Sequence, residues 1–248
     1  MDHLLYIAMS GAKQNMNSLA VRGNNLANAN TVGFKADLEQ ARSMQAFGDG
    51  LPSRVFAMTE SPGQRMESGA LMSTGRDLDV AVQGDGMLVV QDGDGKEAYT
   101  RMGSLRVSPL GVLETSTGLS VLDDAGQPIV LPLPMEKVEI NQDGTVIGRP
   151  EGAAPDTVEE YQRIKLVNPP KESLARGDDG LFRTQNGVPA EVDENVKLAS
   201  ATLEGSNVDP VDSMVSMISL ARQFETQIKM LQTADANAAK ASQILSMN

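Results

Sequence analysis

The chain of 248 residues carries a formal net charge of −12 and contains no cysteine and no tryptophan. The missing cysteines exclude a disulfide framework and a thiolate site, and the acidic balance disfavours nucleic acid and anionic lipid as partners. The charge is uneven, because residues 1–40 and 206–248 together carry −1 whereas residues 41–205 carry −11, a pattern that fits ends buried in an assembly and a middle that faces water.

The first residues predict a long helix from about residue 3 to about residue 28. Apolar or small residues alternate there at spacings of four and three, the pattern of a heptad seam: Leu5, Met9, Ala12, Met16, Leu19, Gly23 and Leu26. Asp2 and His3 stand where a secretory signal has basic residues, and no run approaches the roughly 18 apolar residues that span a bilayer. We expect a cytoplasmic protein or one exported without a cleaved signal.

An asparagine cluster follows within the same helix, at Asn24, Asn25, Asn28 and Asn30. One interpretation is that these amides form hydrogen bonds across helices and fix the register, as a buried asparagine does in coiled coils. The alternative is a fraying helix end in which asparagines act as caps. Gly33 is expected to end the helix, and Phe34 to act as an apolar anchor.

The middle of the chain changes from helical to strand periodicity. Residues 36–75 contain Pro52 and Pro62 with several glycines and predict an extended connector, with a short strand at residues 55–58. Residues 76–205 predict an all-β domain of many short strands, because apolar runs alternate with Asp-Gly turns at residues 84–86, 92–95 and 142–144. None of these loops has the ligand order of an EF-hand, so turn chemistry explains them better than calcium binding.

A second long helix is predicted from Asp209 to Met247. Asp209 can cap it and Pro210 suits its first position. Its small and apolar positions again follow spacings of three and four: Met214, Met217, Ala221, Phe224, Ile228, Leu231, Ala234, Ala238, Ala241 and Leu245. Both seams contain few large side chains, so an isolated helix pair should be only marginally stable. Many copies packed side by side would supply the missing burial.

These elements together predict an α+β fold, in which long N- and C-terminal helices form a coiled-coil-type pair and an all-β domain is inserted between them. The predicted domains are a helical domain of residues 1–35 and 206–248, the connector of residues 36–75 and the β domain of residues 76–205. The simplest alternative is that the two helices only pair with each other over an ordinary core.

Three ordered motifs resemble signatures of the bacterial flagellar rod and hook proteins, and the similarity extends over nearly the whole chain. They are NNLANANTVGFK at residues 24–35, TGRDLDVAVQGDG at 74–86 and LEGSNV at 203–208, with Tyr99, Thr100, Arg101 and Gly103 following the second. Met87 and Leu88 stand where distal-rod members usually have paired phenylalanines. The chain is therefore most similar to a proximal-rod member.

The resemblance implies a subunit of the proximal rod, the drive shaft that transmits torque across the periplasm. Such subunits are exported unfolded by the flagellar type III apparatus, and their ends fold on assembly into an inner tube. The implied partners are copies of the chain and other rod subunits, with no nucleic acid, membrane insertion, cofactor or metal. The expected assembly interface consists of Leu5, Met9, Ala12, Met16, Leu19, Gly23, Asn24, Asn25, Leu26, Asn28, Phe34, Met214, Met217, Ala221, Phe224, Ile228, Leu231, Ala238 and Leu245.

Three other functions are alternatives to this one. A distal-rod protein would share the same architecture. An enzyme is not expected, because the chain has one histidine, no cysteine and no recognised nucleophile or phosphate motif. A monomeric adaptor with a two-helix stalk would be fully helical at its ends in solution, whereas a rod subunit should have residues 1–35 and 208–248 largely unfolded before assembly.

Overall fold

A computed structural model of the chain describes residues 2–45, 55–60, 63–154 and 158–246. Its contacts divide the chain into two compact units. The first, here called the helix unit, consists of Met1–Ala29, Asp37–Gln64 and Val208–Asn248. The second, the β unit, consists of Asn30–Ala36 and Arg65–Asn207.

The helix unit contains two helices and a hairpin. Helix α1 spans Asp2–Ala27, helix α2 spans Pro210–Ser246, and strands β1 (Gln40–Gln45) and β2 (Val55–Glu60) pair antiparallel. The helices are antiparallel, because Arg22 near the end of α1 lies 3.6 Å from Asp212 near the start of α2, while Gly11 lies against Gln227 further along α2.

The start of α2 has the cap that the sequence predicts. The Asp209 carboxylate accepts hydrogen bonds from the backbone N–H groups of Val211 at 2.9 Å and Asp212 at 3.1 Å. These amides have no partner within the helix, so the carboxylate supplies their hydrogen bonds, and its negative charge interacts favourably with the positive end of the helix dipole. The predicted N-cap is confirmed.

The β unit is built from short antiparallel strands. They are β3 (Leu71–Ser73), β4 (Val80–Gln83), β5 (Met87–Gln91), β6 (Glu97–Thr100), β7 (Leu105–Val107), β8 (Leu113–Thr115), β9 (Met135–Ile140), β10 (Thr145–Pro150), β11 (Glu159–Arg163), β12 (Leu166–Val167), β13 (Leu174–Arg176), β14 (Phe182–Thr184), β15 (Lys197–Ser200) and β16 (Thr202–Glu204). The largest sheet has the order β12-β5-β6-β14-β13, and β11-β10-β9 form a second sheet. The remaining strands pair as β15-β4, β16-β3 and β7-β8.

The core of the β unit is aliphatic. Its main cluster consists of Leu, Val, Ile and Ala side chains, with Leu88, Leu105 and Ile164 fully buried among them. A second cluster adds two buried aromatic side chains, Tyr99 and Phe182, which are cross-strand partners in β6 and β14. The chain thus achieves burial with few aromatic residues, as its composition predicts.

Two of the three predicted Asp-Gly turns close hairpins. Residues 92–95 connect β5 to β6, where the Asp92 carboxylate accepts hydrogen bonds from the N–H groups of Asp94 and Lys96, and residues 142–144 connect β9 to β10. The third turn, at residues 84–86, connects strands of different sheets, because β4 pairs with β15 whereas β5 pairs with β6 and β12. The hairpin expected there is wrong.

The predicted fold class is also wrong. Strands make up 34% of the chain and helices 26%, so the molecule is mainly β structure with one helix at each end. The helices do not form a coiled-coil pair along the predicted seam either. Ala8, Ala12, Ser18 and Asn25 are the buried positions among the described side chains of α1. Only Ala12 of these belongs to the predicted heptad, because the hairpin segment covers another part of the helix.

Candidate assembly surface

The predicted seam of α1 is only partly covered within the helix unit. Met9 and Met16 are 55% and 58% exposed. Leu19, Gly23 and Leu26 are half-buried, and Ala12 alone of the described seam side chains is buried. Leu5 lies in the helix, but its side chain is outside the described residues. Two seam methionines are therefore accessible to another molecule.

The predicted seam of α2 divides in the same way. Met217, Phe224, Ile228 and Leu231 are half-buried, whereas Met214 and Ala221 are exposed. Ala238 and Leu245 continue the helix, with side chains outside the described residues. The structure therefore uses part of this seam inside the helix unit and leaves the rest in solvent.

Large apolar side chains on both helices remain exposed, and we call this set the helical apolar surface. Its members are between 39% and 70% exposed: Tyr6, Ile7, Met9 and Met16 on α1, and Val211, Met214, Val215, Ile218 and Met230 on α2. Val215, Ile218 and Met230 line a groove together with Arg222 and Gln227. Contiguous exposed apolar patches, such as the one these three residues form, mark contact surfaces in soluble proteins.

The asparagine cluster is used within the chain. Asn25 is buried, and its side-chain amide donates to the Asp37 carbonyl at 3.0 Å while its oxygen accepts from the Asp37 N–H at 2.8 Å. The Asn28 amide donates to the Asn24 carbonyl at 3.0 Å, which satisfies the end of the helix, and the Asn24 side chain is exposed. Asn25 thus holds the returning chain segment against α1.

The same returning segment binds α1 at a second place. Glu39 lies just before β1, and its carboxylate accepts hydrogen bonds from the Gln14 amide at 3.1 Å and from the Ser18 hydroxyl. Gln14, Ser18 and Asn25 lie on one side of α1 at spacings of four and seven. This polar stripe positions the hairpin and explains why the covered face of α1 differs from the apolar seam.

Three ionic side chains from distant parts of the chain meet inside the β unit, and we call them the buried charge cluster. Glu204 accepts from Lys35 Nζ at 2.6 Å and from Arg101 Nη1 at 2.9 Å. The exposed fractions of the three side chains are 1% for Lys35, 3% for Arg101 and 0% for Glu204. Burial lowers the pKa of Lys35, against the opposing effect of its hydrogen bond to Glu204.

Backbone groups also bind the buried charge cluster. Lys35 also donates to the Glu67 carbonyl at 2.8 Å, and Arg101 Nη2 donates to the Gly84 carbonyl at 2.6 Å. The Glu204 oxygen that binds Lys35 also accepts from the Gly69 N–H at 3.0 Å. Such bonding is what a buried ion needs to offset the loss of water. The cluster carries one more positive than negative charge.

The segment around Lys35 is fixed within the β unit by its backbone as well. The Gly33 N–H donates to the Glu204 carbonyl at 2.8 Å, and the Ala36 N–H donates to the Asn207 side chain at 2.8 Å. Phe34 is half-buried, and the Arg176 guanidinium lies 5.0 Å from the centre of its ring. The structure therefore places this predicted interface residue inside the β unit.

Sequence reasoning missed the roles of Lys35, Arg101 and Glu204. Lys35 lies in the first motif and Glu204 in the third, and Arg101 belongs to the group of residues that follows the second. Nothing in the spacing of the motifs shows that the three side chains meet. The one available signal is chemical, because the first and third motifs carry a single base and a single acid among small, apolar and amide residues. A charge isolated in this way is a candidate for a buried pair.

The described residues show neither a metal site nor a membrane span. In residues 2–45, 55–60, 63–154 and 158–246, no group of three or more His, Cys, Asp or Glu side chains could hold a metal ion. None of the helices in this part of the chain combines the length and hydropathy needed to cross a bilayer.

Comparison with known proteins gives consistent matches over the whole chain. Residues 5–35 match the family model of flagella basal body rod proteins, residues 81–148 that of the flagellar hook protein FlgE/F/G D1 domain, and residues 199–244 that of the flagellar basal body rod FlgEFG protein C-terminal region. The flagellar basal-body rod protein FlgF of Salmonella typhimurium is 42% identical, and that of Escherichia coli 43%, each with all of both chains covered. FlgF of Caulobacter vibrioides is 34% identical over 93% of both chains.

Proposed function

This chain belongs to the FlgF family of flagellar basal-body rod proteins, and we propose that it forms part of the proximal rod by packing its terminal helices against copies of itself and neighbouring rod subunits. It is a structural rod subunit, as the named relatives are. The proposal adds the contact surface, the transmission of torque across the periplasm, and export by the type III apparatus without signal cleavage. It assigns no catalysis, cofactor or metal.

The observation that carries the proposal is the helical apolar surface. Side chains such as Met16 at 58% and Val215 at 62% exposure gain little stabilisation from burial within one chain. Removing the rest of each from water would contribute about 1 kcal/mol or more per residue, on the scale of roughly 1.5–3 kcal/mol for a complete burial. Together these residues provide an association energy that one subunit leaves unused, and a helical lattice repeats the contact without closing.

The proposal also explains why the seams of the two helices contain few large apolar side chains. Ordering the backbone costs roughly 1–2 kcal/mol per residue, and the helix unit covers only a few of the described positions of α1 deeply. We propose that the ends of the free subunit are largely unfolded and become ordered on assembly, which prevents association before a template is present. This property distinguishes a rod subunit from a monomeric adaptor.

Met16→Asp tests the contact surface directly. Because Met16 is 58% exposed, the substitution removes little contact inside the folded chain and costs only about 0.5 kcal/mol in helix propensity. In an assembled interface the same carboxylate would be buried without a partner, which costs several kcal/mol. We expect loss of rod incorporation and motility in cells that carry the variant, with the protein still produced.

Met16→Leu is the matched control, since it keeps the apolar volume and should preserve motility. Circular dichroism of both purified variants checks that the β unit is folded. Full motility and normal incorporation of the Met16→Asp variant would contradict the proposed contact surface. Hydrogen exchange of the purified subunit tests the second part, because slow exchange throughout α1 and α2 in a monomer would support the adaptor instead.

A further inference from the structure

Most of the exposed methionines among the described residues lie in the helix unit. Among the described residues, Met9, Met16, Met214 and Met230 lie on the helical apolar surface at 49–58% exposure, and Met44 and Met58 on the hairpin are 50% and 44% exposed. Within that same part of the chain, the main core cluster of the β unit contains no methionine, and Met87 in the second cluster is 4% exposed. Met72 on β3 is the one described methionine of the β unit with a similar exposure, 48%. Exposed thioethers therefore concentrate where the subunit is proposed to make its contacts.

The rest of the composition leaves these sulfur atoms as the preferred targets of oxidants. The chain has 14 methionines but no cysteine and no tryptophan. Oxidation of a thioether depends on access of the oxidant to sulfur. The exposed methionines of the helices should therefore react before the buried ones of the free subunit.

Resting on the proposed function, we propose that Met9, Met16, Met214 and Met230 are oxidation sites through which peroxide blocks assembly of the free subunit. The sulfur lone pair attacks one oxygen of hydrogen peroxide, so that an S–O bond forms as the O–O bond breaks. After proton transfer, water leaves. Sulfur loses two electrons and the peroxide gains them.

The product opposes assembly for a physical reason. The sulfoxide turns a flexible apolar side chain into a polar one whose oxygen needs a hydrogen-bond donor when it is removed from water. In the free subunit that oxygen is exposed to water, so the oxidation does not disturb the β unit. In a packed helix interface it is desolvated, and four such groups act on one contact surface. Reduction by methionine sulfoxide reductases restores the thioether and reverses the block.

The test uses the full-length chain and a quadruple variant, Met9→Leu/Met16→Leu/Met214→Leu/Met230→Leu. Both are treated with hydrogen peroxide, peptide mass spectrometry records oxidation at each methionine, and sedimentation with chemical cross-linking measures association before and after treatment. We expect the four helical methionines to oxidise before Met87. Association of the wild-type chain should fall at least tenfold, while that of the variant changes less than twofold. The reductases should restore the wild type.

Each outcome separates the two proposals. If the untreated chain does not associate under conditions that assemble rod subunits, the proposed function fails and this inference fails with it. If the untreated chain associates and oxidation leaves association unchanged, only this inference is overturned. An equal loss in the quadruple variant, or earlier oxidation of Met87, also overturns it.

Discussion

Glu204→Gln should destabilise the β unit more than removal of either base that it binds. Glu204 is the acid of the buried charge cluster, and its two oxygens accept from Lys35 and Gly69 on one side and from Arg101 on the other. Glutamine replaces one of these oxygens with an NH2 group, so this hydrogen-bond donor faces the N–H donors of Lys35 and Gly69 or those of Arg101. The substitution also leaves two buried cations without a counter-charge.

Breaking a buried pair in this way costs about 3–5 kcal/mol. For a domain of the size of the β unit, each kcal/mol shifts Tm by about 2–4 °C, so the expected loss is about 6–20 °C. Lys35→Met is the matched comparison, because it leaves Arg101 and Glu204 as a neutral pair 2.9 Å apart. We expect it to cost at least about 2 kcal/mol less than Glu204→Gln, since no charge is left unpaired.

The assay is urea unfolding followed by far-ultraviolet circular dichroism, with both variants and the wild type compared at the same pH. The β unit should give the main transition, and the order of stability should be wild type, Lys35→Met, Glu204→Gln. Equal stabilities of the two variants would refute the argument, because two buried cations without a counter-charge would then be no less stable than a neutral buried pair. A double variant measures the coupling between the two positions.

Three further predictions concern the β unit. Gly33→Ala should lower the stability of the β unit far more than Gly75→Ala. Both glycines have φ near +70°, but a Cβ at Gly33 would lie 2.4 Å from the Arg101 carbonyl carbon, whereas a Cβ at Gly75 meets nothing within 4 Å. Unfolding curves of the two variants measure the difference, and similar losses of stability would contradict the close approach of Gly33 to the Arg101 backbone. Hydrogen bonds from Arg183 hold the pKa of the Asp179 carboxyl below its usual value. As the pH falls below that usual value, the unfolded chain binds a proton at Asp179 before the folded chain does, so the stabilisation present at higher pH is lost. The Tm of Asp179→Asn should therefore fall less steeply in acid than the Tm of the wild type. In the free subunit, the amide hydrogens of residues 33 and 36 should exchange as slowly as those of the β strands, because they donate to Glu204 and Asn207; fast exchange there would count against the attachment of residues 30–36.

Local patterns in the sequence predict individual elements well. The first helix is predicted over residues 3–28 and spans Asp2–Ala27, and the cap at Asp209 and the strand near residues 55–58 lie where the sequence predicts them. These features depend on neighbouring residues, on spacing along a helix and on the free amides of its first turn. The family resemblance adds what local patterns lack, the identity of the assembly.

The errors arise where residues distant in sequence meet. Periodicity selects Met9 and Met16 as seam positions, but it cannot show that Glu39 and Asp37 return to bind the neighbouring side of α1. The same limit hides the pairing of Lys35 with Glu204, which are 169 residues apart. The predicted assembly interface remains a prediction, because a single chain shows only which of its members are exposed.

The buried charge cluster has a consequence for how the polypeptide can acquire its shape. The acid at position 204 finds its two bases 169 and 103 residues earlier, so this unit stays open until nearly the whole polypeptide is present. Completion of this cluster therefore requires the polypeptide from Lys35 to Glu204, whichever end of the chain is made first.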